Sequence, residues 1–359
     1  STEEGEFRDS LHDAIPVLLY QHASGTTATS NRLREVIGNN LLGLWDLPLW
    51  HWMTLSPVAL LQDAAAIDVL DADYRVGGTA LVWESESKYE VVTVESYTGG
   101  QIVLPAASLL SQGYGAGTVV CPIVPAVAPQ GLSFTFGVEY VDANVKFYLT
   151  EQVDLAADNY GKYLNNDIIS DDISVAEGLP GSLAQALDFI DNGFGNYQSI
   201  YLESYTRWRS TVSFTDTTHA SRWARLQHIH RMRGKDRPFW LPSQQLNTVV
   251  VSTVGASSTS WTVDGSYLDT NNVAQLIGRD LYVTFGASDI ARRITGASIS
   301  GSNVVLTMSS GPGVSLPAGT ELSFVRLVRY NTDVFEMQHV RIGGGWMTTY
   351  QATVVEVVT

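Results

Sequence analysis

The chain carries one pattern twice, and this restricts it to folds that can be built in duplicate. Gly99, Ile102-Val103-Leu104 and Ala116-Gly117-Thr118 return 202 positions later as Gly301, Val304-Val305-Leu306 and Ala318-Gly319-Thr320. Upstream, Gly78 and Leu81 match Gly278 and Leu281 at an offset of 200, and Leu47-Pro48 matches Leu241-Pro242 at 194. Downstream, residues 147–153 match 352–358 at 205. The order is constant and the offset drifts upward, as a few short insertions in the second copy would produce. The 359 residues are therefore expected to form two related modules, 1–153 and 205–359, with 154–204 between them.

Each copy shows the same coarse plan. A short strand (15–20, then 211–214) precedes a helix. In the first copy Leu33, Val36, Ile37 and Leu41 share one helical face behind a possible Ser30 cap. In the second, Trp223, Leu226, Ile229 and His230 trace the stripe, and Gly234 stops it. An aromatic Leu-Pro segment follows, and its proline imposes extended backbone. The remainder reads as β: 89–94, 102–104 and 118–123 are short strands with Gly-containing turns between them. Leu281, Val283 and Phe285 alternate, as do Val145, Phe147 and Leu149. The expected fold is mainly β (α+β): two tandem small β-barrel or sandwich modules, each with one packed helix. The acidic connector is expected to hold a short helix, 182–192, on the spacing of Leu183, Leu187 and Ile190.

Composition narrows the function classes. Charged residues are only 16% of the chain, and the formal net charge is −16. Binding to a phosphate backbone needs clustered Lys and Arg, so specific nucleic-acid binding is not expected. The single cysteine, Cys121, excludes an intrachain disulfide, and its apolar neighbours mark a small buried hydrophobe. No apolar run approaches bilayer length, so no membrane span is expected. The first residues are acidic and polar, without the apolar core of a secretory signal, so synthesis in a cytoplasm is expected.

The run Ala186-Leu187-Asp188-Phe189-Ile190-Asp191-Asn192-Gly193 leads through an apolar strand to Trp208. A helix at 221–232 and Gly234-Lys235-Asp236-Arg237-Pro238-Phe239-Trp240-Leu241-Pro242-Ser243 follow. Together with 78–83, 89–92 and Ala116-Gly117-Thr118, this pattern resembles tail-tip and baseplate (distal-tail or hub-type) structural proteins of long-tailed bacteriophages. Gln244-Gln245 departs from the Trp and Asp that often follow the Leu-Pro-Ser there. The resemblance implies a virion component of the viral tail, made in the host cytoplasm, that forms a ring joining the tail tube to the hub or receptor-binding apparatus. It implies as partners the tube, hub, tape-measure and tail-fibre proteins of the same virion. It also implies a homo-oligomer: a trimer with pseudo-six-fold symmetry, which the duplication favours, or a plain hexamer. The alternative is a carbohydrate-binding, receptor-recognition protein of the virion.

Candidate sites reduce mostly to structural readings. His228 and His230 sit two apart on a helix and point away from each other, so they cannot chelate together, and with Arg231 and Arg233 they read as a solvated or interface-facing basic face. Asp68, Asp71 and Asp73 lack the glycine and glutamate of a calcium loop. Asp171-Asp172 reads as loop rather than as a glycosidase pair. No nucleophile elbow, phosphate loop or zinc-protease motif occurs. The expectation is no enzyme activity, no catalytic or metal residues and no cofactor. The residues singled out are aromatics, Trp45, Trp50, Trp52, Trp208, Phe239 and Trp240, read as core or subunit interface in preference to a sugar platform.

Overall fold

A computed structural model describes residues 17–24, 35, 39, 43–98, 100–128, 132–136, 141–150, 160–170, 181–184, 187–191, 197–201, 207–243, 245–285, 288–342 and 345–357. The chain is mainly β and divides into two compact units. Unit 1 is Ser1–Leu155, Thr217–Leu226 and His339–Met347; unit 2 is Ala156–Asp216, Gln227–Gln338 and Thr348–Thr359. The connector therefore falls almost wholly within unit 2, and two short segments of the second repeat are built into unit 1.

The strands of the first repeat are β1 (Val17–Ser24), β2 (Trp45–Pro48), β3 (Thr54–Leu55), β4 (Ala66–Asp68), β5 (Thr79–Ser85), β6 (Lys88–Thr93), β7 (Ser96–Thr98), β8 (Gln101–Val103), β9 (Val119–Val127), β10 (Leu132–Phe136) and β11 (Val141–Leu149). One antiparallel sheet runs β1-β11-β9-β5-β6, with β10 on β11 and both β2 and β3 on β9; a second runs β4-β8-β7. Both sheets are open, as in a sandwich, and Ile67, Val82, Val92, Ile102, Leu104 and Val120 fill the core. Strand β9 is covered on both faces, which explains its unbroken apolar run. Its two prolines sit where partners change. The Pro122 carbonyl accepts from Leu49 N–H (2.9 Å), so its missing N–H faces the gap where the turn Trp50–Trp52 separates β2 from β3. The Pro125 carbonyl accepts from Thr150 N–H (3.0 Å), and its nitrogen faces the gap between β5 and β11. Neither proline removes a ladder bond.

The later strands are β12 (Lys162–Tyr163), β13 (Asn166–Asp167), β14 (Gly181–Ala184), β15 (Leu187–Asp191), β16 (Tyr197–Tyr201) and β17 (Arg207–Asp216). Helix α1 (His219–Met232) follows, then β18 (Phe239–Pro242), β19 (Thr248–Val249), β20 (Ser260–Asp264), β21 (Asp280–Phe285), β22 (Ser288–Ser300), β23 (Asn303–Met308), β24 (Glu321–Tyr330), β25 (Met337–Ile342) and β26 (Gly345–Glu356). The main sheet runs β14-β17-β26-β24-β21-β22-β23-β20, with β18 and β19 on β24 and β25 on β26.

Strand registers carry the duplication residue by residue. Leu47 faces Val124 and Leu241 faces Arg326; Thr54 faces Val120 and Thr248 faces Leu322. Thr79 faces Ile123 and Thr93, and Asp280 faces Val325 and Arg293. Ile67 and Tyr97 flank Ile102, as Val263 and Ile299 flank Val304. Leu18 faces Phe147, and Val212 faces Ala352. The long β22 does the work of β6 and β7 together, passing from one sheet to the other at a bulge between Ile294 and Gly296. One pairing differs. Leu149 lies opposite Ala126, whereas β26 is slid two residues along β24 to place Val355 opposite Arg329. A two-residue slide keeps every side chain on its own face.

Three sequence expectations are corrected. Two strands, β14 and β15, occupy the place of the helix expected at 182–192, paired with β17 and β16 respectively. An isolated helix of about ten residues is marginal in water, whereas a strand partner rich in Tyr and Ile lies a few residues away at 197–201. In β21, Leu281, Tyr282 and Val283 are all buried, so that strand is covered on both faces instead of alternating. The glycine equivalent to Gly278 is Gly77, not Gly78: both have positive φ, and each donates to the neighbouring strand at 2.8 Å, to Val94 and to Ile294. The expected first-copy helix lies outside the described residues except for Glu35 and Asn39, whose backbone is helical.

The Gly-rich loops are structural and identical in their bonding. Gly117 (φ +88°) donates to Ser56 and Gly319 (φ +85°) to Val250, and Thr118 and Thr320 each donate their hydroxyl to the carbonyl three residues back at 2.7 Å. A Cβ at either glycine meets nothing within 4 Å, so only backbone strain opposes substitution. Gly117→Ala and Gly319→Ala are each expected to cost about 1–2 kcal/mol, with nearly equal losses in urea unfolding.

Candidate functional site

Helix α1 is where chemistry-bearing side chains gather. Thr218 caps it, its hydroxyl oxygen accepting from Ser221 N–H at 3.1 Å. Arg233 (φ 50°) and Gly234 (φ 62°) end it. A Cβ on Gly234 would strike Asp333, so that position requires glycine twice over. Trp223 and Leu226 pack on the core of unit 1, while Ile229 and Met232 belong to that of unit 2.

In unit 1 the first half of the helix completes a histidine–tryptophan cluster. Trp52, which is 4% exposed, meets Trp223 edge-on (5.2 Å, 82°) and His219 (5.4 Å, 78°). The Arg222 guanidinium lies 5.3 Å over the Trp52 ring and donates to the His51 carbonyl at 2.9 Å. His51 stacks on His339 at 4.4 Å. Burial first, then the charge of Arg222, pushes the His339 imidazole down to about 4. His51 is held well below its ordinary value by burial, His339 and Arg222. His219 is lowered chiefly by burial; its Nε2 lies on the Asp71 carbonyl and its Nδ1 3.4 Å from Arg222 Nη2. The arrangement suits a neutral ring that donates from Nε2 and accepts at Nδ1. These three imidazoles are therefore neutral packing groups at neutral pH.

In unit 2, His228 is 1% exposed, so the expected solvated basic face does not exist at this position. Its Nδ1 lies 3.4 Å from Asp167, and Arg231 reaches the other oxygen of that carboxylate at 3.2 Å. The sequence concealed this because Asp167 is some sixty positions away, on a two-stranded hairpin of its own. Asp280 forms a second buried centre, holding Arg293 in two bonds (3.1 and 3.0 Å) and accepting from the Tyr163 hydroxyl at 2.6 Å. Burial and the Asp280 carboxylate raise the Tyr163 phenol well above its usual range.

The singled-out aromatics divide by burial. Trp52, Phe239 and Trp240 lie inside their units at 4%, 0% and 4% exposure. Trp45 meets Phe147 edge-on at 5.8 Å and packs against the unit 1 core. Trp50 packs on the opposite side of β9, against Trp83 and the Leu81–Cys121–Ile123 cluster. Trp240 donates its indole N–H to the Tyr163 carbonyl at 2.8 Å. Trp208 is half-buried under the Arg326 guanidinium at 4.7 Å. Cys121 is fully buried, which raises its thiol to about 12.

The three aspartates at 68, 71 and 73 do not converge. They bind Gln101, Tyr97 and Arg75 respectively. Among the described residues, no three His, Cys, Asp or Glu side chains are placed to share a metal ion, and no helix is long and apolar enough to cross a membrane. Asp171-Asp172 lies outside the described residues. No protein-family model matches the chain, and no curated protein is significantly similar to it.

Proposed function

We propose that this chain is a structural component of a phage tail tip or baseplate, forming a ring that joins the tail tube to the hub or receptor-binding apparatus. The observation that supports it most is the duplicated module with matched strand registers. Two like modules per chain let three chains present six quasi-equivalent units, the geometry needed where a six-fold tube meets a three-fold hub. The buried histidines and carboxylates fit this reading, because each is engaged in packing or an ion pair within its unit, and no catalytic step is assigned to them. A low charge content suits large permanent interfaces, and a net charge of −16 suits a wall past which DNA slides. The carbohydrate reading loses support, because Trp52, Phe239 and Trp240 offer no open face for a sugar ring.

Light scattering of the purified chain, with class averages from electron micrographs, tests the proposal. The expected result is a closed ring of three chains with six-fold-like projections. Six chains per ring would retain the ring and replace the trimer. A monomer with clear glycan-array hits would overturn the proposal.

A further inference from the structure

The donor segment of unit 1 comes from the second repeat: His219, Arg222 and Trp223 cover Trp52 and reach Asp71. Matched backbone bonds identify the positions in unit 2 that correspond to those covered residues. Leu49 N–H donates to Pro122, and Ser243 N–H donates to Phe324 one repeat later, so Leu246 holds the place of Trp52. Strand β20 pairs β23 as β4 pairs β8, with Asp264 in the place of Asp68, so Tyr267 holds the place of Asp71. Trp52 is 4% exposed, but Leu246 is 42% and Tyr267 50% exposed. A pair of positions that is covered in one unit is thus open in the other, and both open residues are apolar or aromatic.

The counterpart of the donor is legible in the first repeat. Asn31-Arg32-Leu33-Arg34-Glu35-Val36 parallels Ser221-Arg222-Trp223-Ala224-Arg225-Leu226, with arginine second and large apolar residues third and sixth. Its one described residue, Glu35, has helical backbone. Arg32 and Arg34 are complementary in charge to Asp264 and Asp269, which flank Tyr267. The chain leaves Leu246 and Tyr267 exposed, so the occupant must come from elsewhere.

We infer that residues 31–36 of a second copy of this chain seat on Leu246 and Tyr267, repeating between chains the contact made inside unit 1. Donor and acceptor are different surfaces, so the contact is heterologous and propagates head to tail until a ring closes. This inference deepens the ring proposal by naming its interface.

The test uses an acceptor variant, Leu246→Glu with Tyr267→Glu, and a donor variant, Leu33→Glu. Each is expected to lose all species above monomer in light scattering while keeping the wild-type circular dichroism and melting. Mixing the two is expected to restore a two-chain species and nothing larger, because the mixture holds one working donor and one working acceptor per pair. Wild-type-like assembly of the acceptor variant overturns the inference and leaves the ring standing; a monomeric wild-type chain overturns both. The acceptor positions are exposed and tolerate substitution, so that variant decides the matter even if the donor variant misfolds. If doubly substituted Leu33→Cys/Leu246→Cys chains cross-link within single chains, the donor is intramolecular and the inference fails.

Discussion

Phe239→Ala is expected to destabilise unit 2 by about 3–5 kcal/mol. The ring is fully buried, 4.7 Å from Tyr330 and edge-on to His228 at 5.3 Å, in the cluster that joins α1 to β18 and β24. Removing it strips the faces of two aromatic neighbours and leaves a void that a paired strand cannot collapse to fill. The backbone of β18 is held by Val328 opposite residue 239 and Val325 opposite Pro242. Phe239→Leu keeps most of the volume and is expected to cost less than about 1.5 kcal/mol. Urea unfolding, followed by tryptophan fluorescence, checks both variants. A loss in the alanine variant no larger than that of a surface substitution would mean that the cluster is not closed.

Acidification is expected to weaken unit 1 between neutral pH and about pH 4. His339 titrates near 4 in the folded chain against an ordinary value of 6.5, and His51 is shifted the same way. A depressed histidine is protonated more readily in the unfolded state. Above 6.5 both states are neutral, and the contribution is fully present. As pH falls from 6.5 toward 4 the unfolded chain takes up the proton first, so stability falls; below 4 the loss levels off. For His339 alone the full loss is on the order of 3 kcal/mol. Melting temperatures across this range should fall in the wild type. In His339→Gln, which retains a polar planar group without a proton to gain, the slope should flatten. An unchanged slope in that variant would place the titrating group elsewhere.

The duplication was legible in sequence because insertions between modules shift an offset without disturbing order. The extended Leu-Pro segments, the stop at Gly234 and the burial of Cys121 were legible for a related reason: each follows from a local backbone constraint or from an unbroken apolar run. The connector was misread because spacing alone cannot separate a short helix from a strand once a strand partner exists. Leu183, Leu187 and Ile190 satisfy the helical period, yet backbone pairing to β17 and β16 satisfies the chain better. The choice of Gly78 over Gly77 had the same root, since a one-residue register is visible only in a ladder.

Local chemistry in the sequence determined which segments are strands, where α1 begins and ends, and that one module occurs twice. Those properties depend on side-chain period, glycine and proline, which act within a few residues. Only the tertiary structure decided that 217–226 and 339–347 complete unit 1, that Asp167 lies beside His228 and Arg231, and that Leu246 and Tyr267 stand open where Trp52 and Asp71 are covered. Packing partners separated by tens or hundreds of residues leave no periodic trace, because what selects them is the surface each must bury and the charge each must neutralise.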